Sequence, residues 1–201
     1  MTKTNSKSKN KLLDTRKIAT IGLLAAINIV LGVTGLGIPF ASPAFPGVTI
    51  MHIPTIVAGI LEGPLVGGIV GLIFGVFSMY QASTMPSSPI ALAFLDPLVA
   101  VIPRILIGIV SYYAYIGLKK FLKQGSIPVA AFIGSYTNTI LVISAIYFLH
   151  PSVLGVTTEI SMSAAGMILL GSMGIGSVFE AILAVIIVTP IVVAIQKIRK
   201  N

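Results

Sequence analysis

The sequence contains no cysteine and no tryptophan. Without cysteine there are no disulfides, thiolate metal sites or cysteine nucleophiles. Without tryptophan, any aromatic belt at a membrane interface has to come from Tyr and Phe. Charge is scarce too: 9% of the 201 residues are charged, against roughly a quarter in an ordinary soluble domain. Acidic residues are the scarcest, five against thirteen basic ones, which leaves a net charge of +8. Such a balance ordinarily suggests a nucleic-acid partner. A basic groove needs a polar scaffold, however, and this chain has almost none, so nucleic acid is excluded. Catalytic signatures are also missing. There is no G-x-x-x-x-G-K-[ST] loop for ATP, no H-E-x-x-H pair and no G-x-S-x-G elbow. No catalytic residue, metal ligand set or resident cofactor is expected, and no internal repeat signals a secondary transporter.

What the chain has in abundance is apolar surface. Hydrophobic residues make up 56% of it, and the mean hydropathy is +1.05. A soluble domain of this length could not bury so much, so the remaining solvent is lipid. The expected class is an all-α, polytopic membrane protein. A spanning helix needs about 20 mostly apolar residues. Six spans are expected: 18–37, 52–61, 65–81, 97–117, 127–149 and 174–195. The second is short and stops at Glu62-Gly63-Pro64. The apolar run 161–170 is too short to span and reads as a helical piece of the loop before the last helix.

The basic residues set the orientation. Lys3, Lys7, Lys9, Lys11, Arg16 and Lys17 precede the first span; Lys119, Lys120 and Lys123 follow the fourth; Lys197, Arg199 and Lys200 follow the sixth. Six spans place all three clusters on one side, and the positive-inside rule makes that side the cytoplasm. Residues 1–17 are then a basic cytoplasmic tail, 18–196 one membrane domain and 197–201 a basic cytoplasmic end. The apolar run after the tail is long, and Ala41-Ser42-Pro43 is a poor cleavage site, so an uncleaved first helix is expected.

One basic residue remains, Arg104. Ionisable side chains in hydrocarbon are costly and so mark candidate sites. At about 1.5 Å per residue, Arg104 lies roughly 22 Å from the inner surface, Glu180 roughly 25 Å and Asn138 roughly 18 Å. His52, Gln81 and Asp96 stand at the outer ends of their spans. Polar groups from separate helices thus converge on the outer half, and an outward-opening pocket follows. Arg104 and Glu180 read either as a buried ion pair locking two helices or as part of that pocket, with Glu180 orienting Arg104 toward an anionic group. The uncharged outer loops 38–51 and 82–95 are suited to fold over it, with Met51, Met85 and Phe94 as adaptable cover. On the first span, Ala19, Gly22 and Ala26 form a small-residue face for close helix approach. Gly67, Gly68, Gly71 and Gly75 are expected to pack within the bundle.

Several motifs resemble those of a known family. Met51-His52-Ile53-Pro54, Gly63-Pro64-Leu65-Val66-Gly67-Gly68 and Phe74-Gly75 resemble spans 2 and 3 of the S components of energy-coupling factor vitamin transporters. Asp96-Pro97-Leu98 with Pro103-Arg104-Ile105-Leu106-Ile107-Gly108 resembles their fourth span. Thr137-Asn138-Thr139 and Glu180-Ala181 resemble their later motifs. The resemblance implies a six-helix subunit of the bacterial cell membrane that captures a vitamin from outside. It implies as partners a transmembrane coupling subunit and two cytoplasmic ATPases, with Gly22 and Ala26 as the docking pair. It also implies that the whole subunit topples in the membrane to deliver its cargo. The wording of spans 2 and 4 is most like the pantothenate group, whose carboxylate Arg104 would pair with. Riboflavin, pyridoxine, folate and cobalamin-related substrates are alternatives, as is an autonomous proton-coupled carrier using Arg104 and Glu180 as a relay.

Overall fold

The structure is a computed structural model that describes residues 14–37, 40–42, 45–86, 89–154 and 162–199. Most of the expected basic tail, 1–13, and Lys200 lie outside the described residues. The architecture is helical apart from one short hairpin. The helices are α1 (Thr15–Val33), α2 (Ile53–Glu62), α3 (Pro64–Thr84), α4 (Pro97–Ala100), α5 (Ile102–Leu122), α6 (Ser126–Leu149) and α7 (Met162–Ile198). The hairpin pairs β1 (Phe40–Ser42) with β2 (Phe45–Val48), antiparallel, with Phe40 opposite Val48. Four stretches are long and apolar enough to cross a membrane: Thr15–Val33, Pro64–Thr84, Pro97–Leu149 and Gly176–Ile198. The third contains both α5 and α6, joined by a short turn at Lys123–Gly125.

Helix α2 is the hub. Its ten residues reach about 15 Å, half a bilayer core, yet everything from Ile53 to Ile60 is buried. Helices α1, α3, α5, α6 and α7 all pack against it. Pro54 fixes the first turn, and Gly63 ends the helix at φ 99°, a left-handed value that favours glycine. Pro64 then opens α3 at once. The result is a tight antiparallel α2–α3 pair with Glu62 at its tip. Glu62 is nearly fully buried at the side chain and is gripped by Arg16 from the start of α1 and Arg199 from the end of α7. The first, second and last helices are tied there at one end of the bundle.

Backbone contact brings α5 against this pair. A Cβ on Gly67 would strike the Cα atoms of Gly59 and Gly108, and a Cβ on Gly71 would strike the backbone of Arg104 and Ile105. The glycines of α3 therefore pack inside the bundle, as expected, and they fix the position of Arg104.

Two spans differ from expectation. The fourth is broken at Val101 into α4 and α5. Pro103 is the cause: it has no N–H to give the carbonyl four residues back, that of Val99, and its ring crowds that carbonyl. The apolar run 161–170, expected as a separate loop piece, is continuous with the last helix from Met162. No proline interrupts that segment, and its glycines weaken a helix without ending it.

Candidate functional site

Arg104 is the most informative residue of the predicted site. It is buried, and its Nη1 donates to the Val99 carbonyl at 2.9 Å. That acceptor is the one Pro103 released, so the α4–α5 break and the guanidinium anchor are one device. The guanidinium lies over two aromatic rings, 5.4 Å from the Phe74 centroid and 4.7 Å from that of Phe94. Such contacts stabilise a desolvated cation without neutralising it. Its Nε is buried with no hydrogen-bond partner.

Glu180, on α7, is buried too, but it forms no ion pair with Arg104. Among the described residues the ion pairs are Arg16–Glu62, Arg199–Glu62 and His150–Asp96. The reading of Arg104 and Glu180 as a buried contact pair is therefore corrected. The two remain near enough for their charges to be felt, and Glu180 Oε1 instead accepts the Thr49 N–H at 2.8 Å. Thr49 immediately follows β2, which packs on α7. The carboxylate thus tethers the hairpin segment that leads into His52.

His52 is fully buried at the start of α2, with neither ring nitrogen hydrogen-bonded, and it senses the Arg104 charge. It does not cap the helix through its side chain. Asn138 sits on α6, and its level follows from its neighbours. One turn beyond it, Val142 clusters with Val99; one turn before it, a Cβ on Gly134 would strike Ser111 Oγ and meet Ile56. Asn138 is therefore held at the height of Arg104. It is buried, with Oδ1 unpaired.

Gln81 and Asp96 do other work. Gln81 Nε2 donates to the Gly32 carbonyl at 3.0 Å and clips α3 to α1. Asp96 caps α4 by accepting the Leu98 N–H, and its other oxygen lies 3.0 Å from His150 Nε2. That pair joins the α4 start to the end of α6. The cap and the histidine hold the Asp96 carboxyl below its ordinary value of 3.8. Of the expected cover residues, Met51 is buried with Phe74 and Phe77, and Phe94 stacks on Arg104. Met85 points outward, 82% exposed, so it is not part of the cover.

Sequence reasoning missed two residues. Asn28 on α1 and Thr55 on α2 are fully buried, and their side-chain polar atoms have no partner. Nearer the Glu62 end, α1 packs Leu24 against the cluster of Ala58, Val66 and Val70; toward the other end a Cβ on Gly32 would meet Met51. Asn28 therefore lies at the height of Thr55 and His52. A lone polar residue within an apolar run was the available signal. Buried polar atoms are nearly always hydrogen-bonded in native proteins. Seven described residues carry such exceptions; His52, Thr55, Asn28, Arg104 and Asn138 lie in one half of the bundle, and Ser135 and Thr189 are the other two. Such an arrangement suits a polar ligand, not acid–base chemistry on a bound nucleophile. Among the described residues, no three His, Asp or Glu side chains gather as a metal site.

The family described as "ECF transporter, substrate-specific component" matches residues 16–192. This chain belongs to that family. The S component is 32% identical to the pantothenic acid transporter PanT of Lactococcus lactis subsp. cremoris (strain MG1363), an alignment covering 92% of this chain and 97% of PanT. Its fold matches that of ThiT from Listeria monocytogenes with a TM-score of 0.61 at 16% identity, over 90% of this chain and 96% of ThiT. A 118-residue stretch, 59% of the chain, is 32% identical to the sensor histidine kinase/phosphatase LytS of Staphylococcus aureus (strain N315), but it covers only 18% of LytS. The S component is thus a multi-pass membrane protein of a transporter family whose members bind substrate and are not catalysts. The face of α1 carrying Ala19, Gly22 and Ala26 is exposed, and a Cβ on Gly22 would meet nothing within 4 Å.

Proposed function

We propose that this S component captures pantothenate outside the cell and hands it to an ATP-driven module. The observation that carries this reading is the state of Arg104: a buried guanidinium, anchored on one edge, lying over two aromatic rings and unpaired at Nε. A carboxylate is the natural counter-ion for such a group. Asn138, His52, Thr55 and Asn28 supply hydrogen-bonding capacity for hydroxyl and amide groups, which pantothenate also has. Full-length similarity to PanT supports that vitamin over the alternatives. Glu180 and Thr49 serve as the tether that closes the hairpin over the site. Gln81 and Asp96 act on its frame.

In this reading the chain spans the bacterial cell membrane six times, α2 making up a span with the segment before it. Both termini are cytoplasmic. The 1–17 tail and the 197–201 end flank a single membrane domain. The exposed α1 face meets a transmembrane coupling subunit, and two cytoplasmic ATPases drive release. Titration calorimetry of the purified chain against a vitamin panel tests the substrate. Pantothenate is expected to bind in the nanomolar to low-micromolar range, about −8 to −12 kcal/mol. No binding below millimolar, or tighter binding of another vitamin, removes the assignment.

A further inference from the structure

At the Glu62 end of the bundle, opposite the polar site, the ends of α2, α5 and α7 and the start of α6 border an open cavity of about 550 Å³. Its wall has two kinds of chemistry. Ile60, Ile116 and Ile127 line it with apolar surface; Lys119, Lys123 and Arg199 supply cations. Arg199 is committed to Glu62. Lys119 and Lys123 are not: among the described residues neither has a carboxylate within ion-pair distance. Lys119 instead lies 5.2 Å from the Tyr115 ring centroid. The Tyr115 hydroxyl accepts from Gln196 at 3.0 Å, which fixes the ring in the cavity wall.

Lys123 is the unusual residue. Its φ is 47°, the one left-handed non-glycine backbone among the described residues. The turn is held from both sides: the Lys123 N–H donates to the Lys119 carbonyl, and Ser126 Oγ donates to the Lys123 carbonyl. A lysine kept in a strained conformation that glycine would adopt freely is a pointer to a role for the side chain.

The geometry points to a binding site for an anionic phospholipid, its phosphate between Lys119 and Lys123 and its glycerol and upper acyl chain on the isoleucine wall. Three features favour a lipid over a soluble phosphate or an acidic protein segment. The cations form a rim above an apolar wall. The cavity lies at the end of membrane-spanning helices, where lipid headgroups are the abundant anions. Basic pockets between helices at a membrane surface are the usual form of headgroup recognition. The site does not depend on which vitamin the chain binds.

The test is native mass spectrometry of the full chain from neutral detergent, titrated in parallel with phosphatidylglycerol and phosphatidylcholine. Thermal stability is followed under the same conditions. About one phosphatidylglycerol per chain is expected to be retained, with at least tenfold preference over phosphatidylcholine. K119Q/K123Q is expected to lose that preference while keeping wild-type vitamin affinity. K123G covers the case in which the double variant does not fold, because glycine suits the turn while removing one cation; it is expected to lose about half the preference or more on a logarithmic scale. Equal retention of the two lipids overturns the proposal, as does a preference unchanged in K119Q/K123Q or K123G. Equal stabilisation by inorganic phosphate or glycerol 3-phosphate also overturns it, in favour of a soluble anion.

Discussion

The Thr49 N–H donates to Glu180 Oε1 at 2.8 Å, across 131 positions of sequence. One carboxylate on the last helix therefore holds the segment between β2 and His52. Hydrogen bonds to charged groups contribute about 1.5–3 kcal/mol, so the tether is strong enough to set the hairpin's resting position. Glu180→Ala is expected to weaken pantothenate binding by roughly 10- to 100-fold, mainly through faster release. Glu180→Gln keeps a carbonyl acceptor and is expected to lose less. Binding kinetics on immobilised protein check this; an unchanged release rate for Glu180→Ala would show that the tether does not gate the site.

Arg104 offers a sharper test of the ligand's chemistry. Removing one partner of a buried charge pair costs about 2–5 kcal/mol, a loss of some 30-fold or more. Arg104→Ala is expected to lose that much affinity for pantothenate. The analogue whose carboxylate is replaced by a hydroxymethyl group should bind wild type weakly and the variant no worse. A double-mutant cycle over protein and ligand isolates the pair. Equal losses for both ligands would place Arg104 in the framework. Arg104→Lys keeps the charge but not the planar contact with Phe74 and Phe94, and an intermediate affinity is expected.

The apolar helices were legible because hydropathy reports directly on a lipid environment. His52, Arg104 and Asn138 are all buried, and that they are polar groups on apolar helices was legible too. Their partners were not. Glu180 and Thr49, or Glu62 with Arg16 and Arg199, are brought together by bundle packing that a linear pattern does not encode. For the same reason equal depth suggested an Arg104–Glu180 contact that the helix rotations do not make. Asn28 and Thr55 were readable in principle as polar residues in apolar runs, but both residue types are common enough in membrane helices to pass as packing. The local signal that was readable and unused is Pro103: a proline at that position frees the Val99 carbonyl one residue before the arginine that takes it.

Asp96 predicts an acid limit. Its folded-state pKa lies below the ordinary 3.8, because the Leu98 N–H and His150 favour the carboxylate. A depressed carboxylate stabilises the fold fully above its unfolded value and loses that contribution as pH falls through the lower folded value. Wild-type melting temperature in detergent is therefore expected to fall as pH drops below about 4. Asp96→Asn retains a side-chain acceptor for the α4 cap but no proton to gain, so its curve should be flatter over the same interval. Parallel curves would mean that neither the Leu98 cap nor the His150 contact favours the Asp96 carboxylate in solution.

Two glycines should behave in opposite ways. A Cβ at Gly71 would collide with the backbone of Arg104 and Ile105, neither of which can move without displacing α5. Gly71→Ala is expected to cost about 1–3 kcal/mol of stability, the usual penalty of overpacking, and to lower vitamin affinity because Arg104 shifts with its helix. A Cβ at Gly22 meets nothing within 4 Å, so Gly22→Ala and Gly22→Leu should both leave melting temperature and vitamin binding at wild-type values. With the coupling module present, Gly22→Leu should abolish uptake, because a bulky side chain keeps a partner helix from close approach. Uptake by Gly22→Leu at the wild-type rate would place the docking surface elsewhere than on this face of α1.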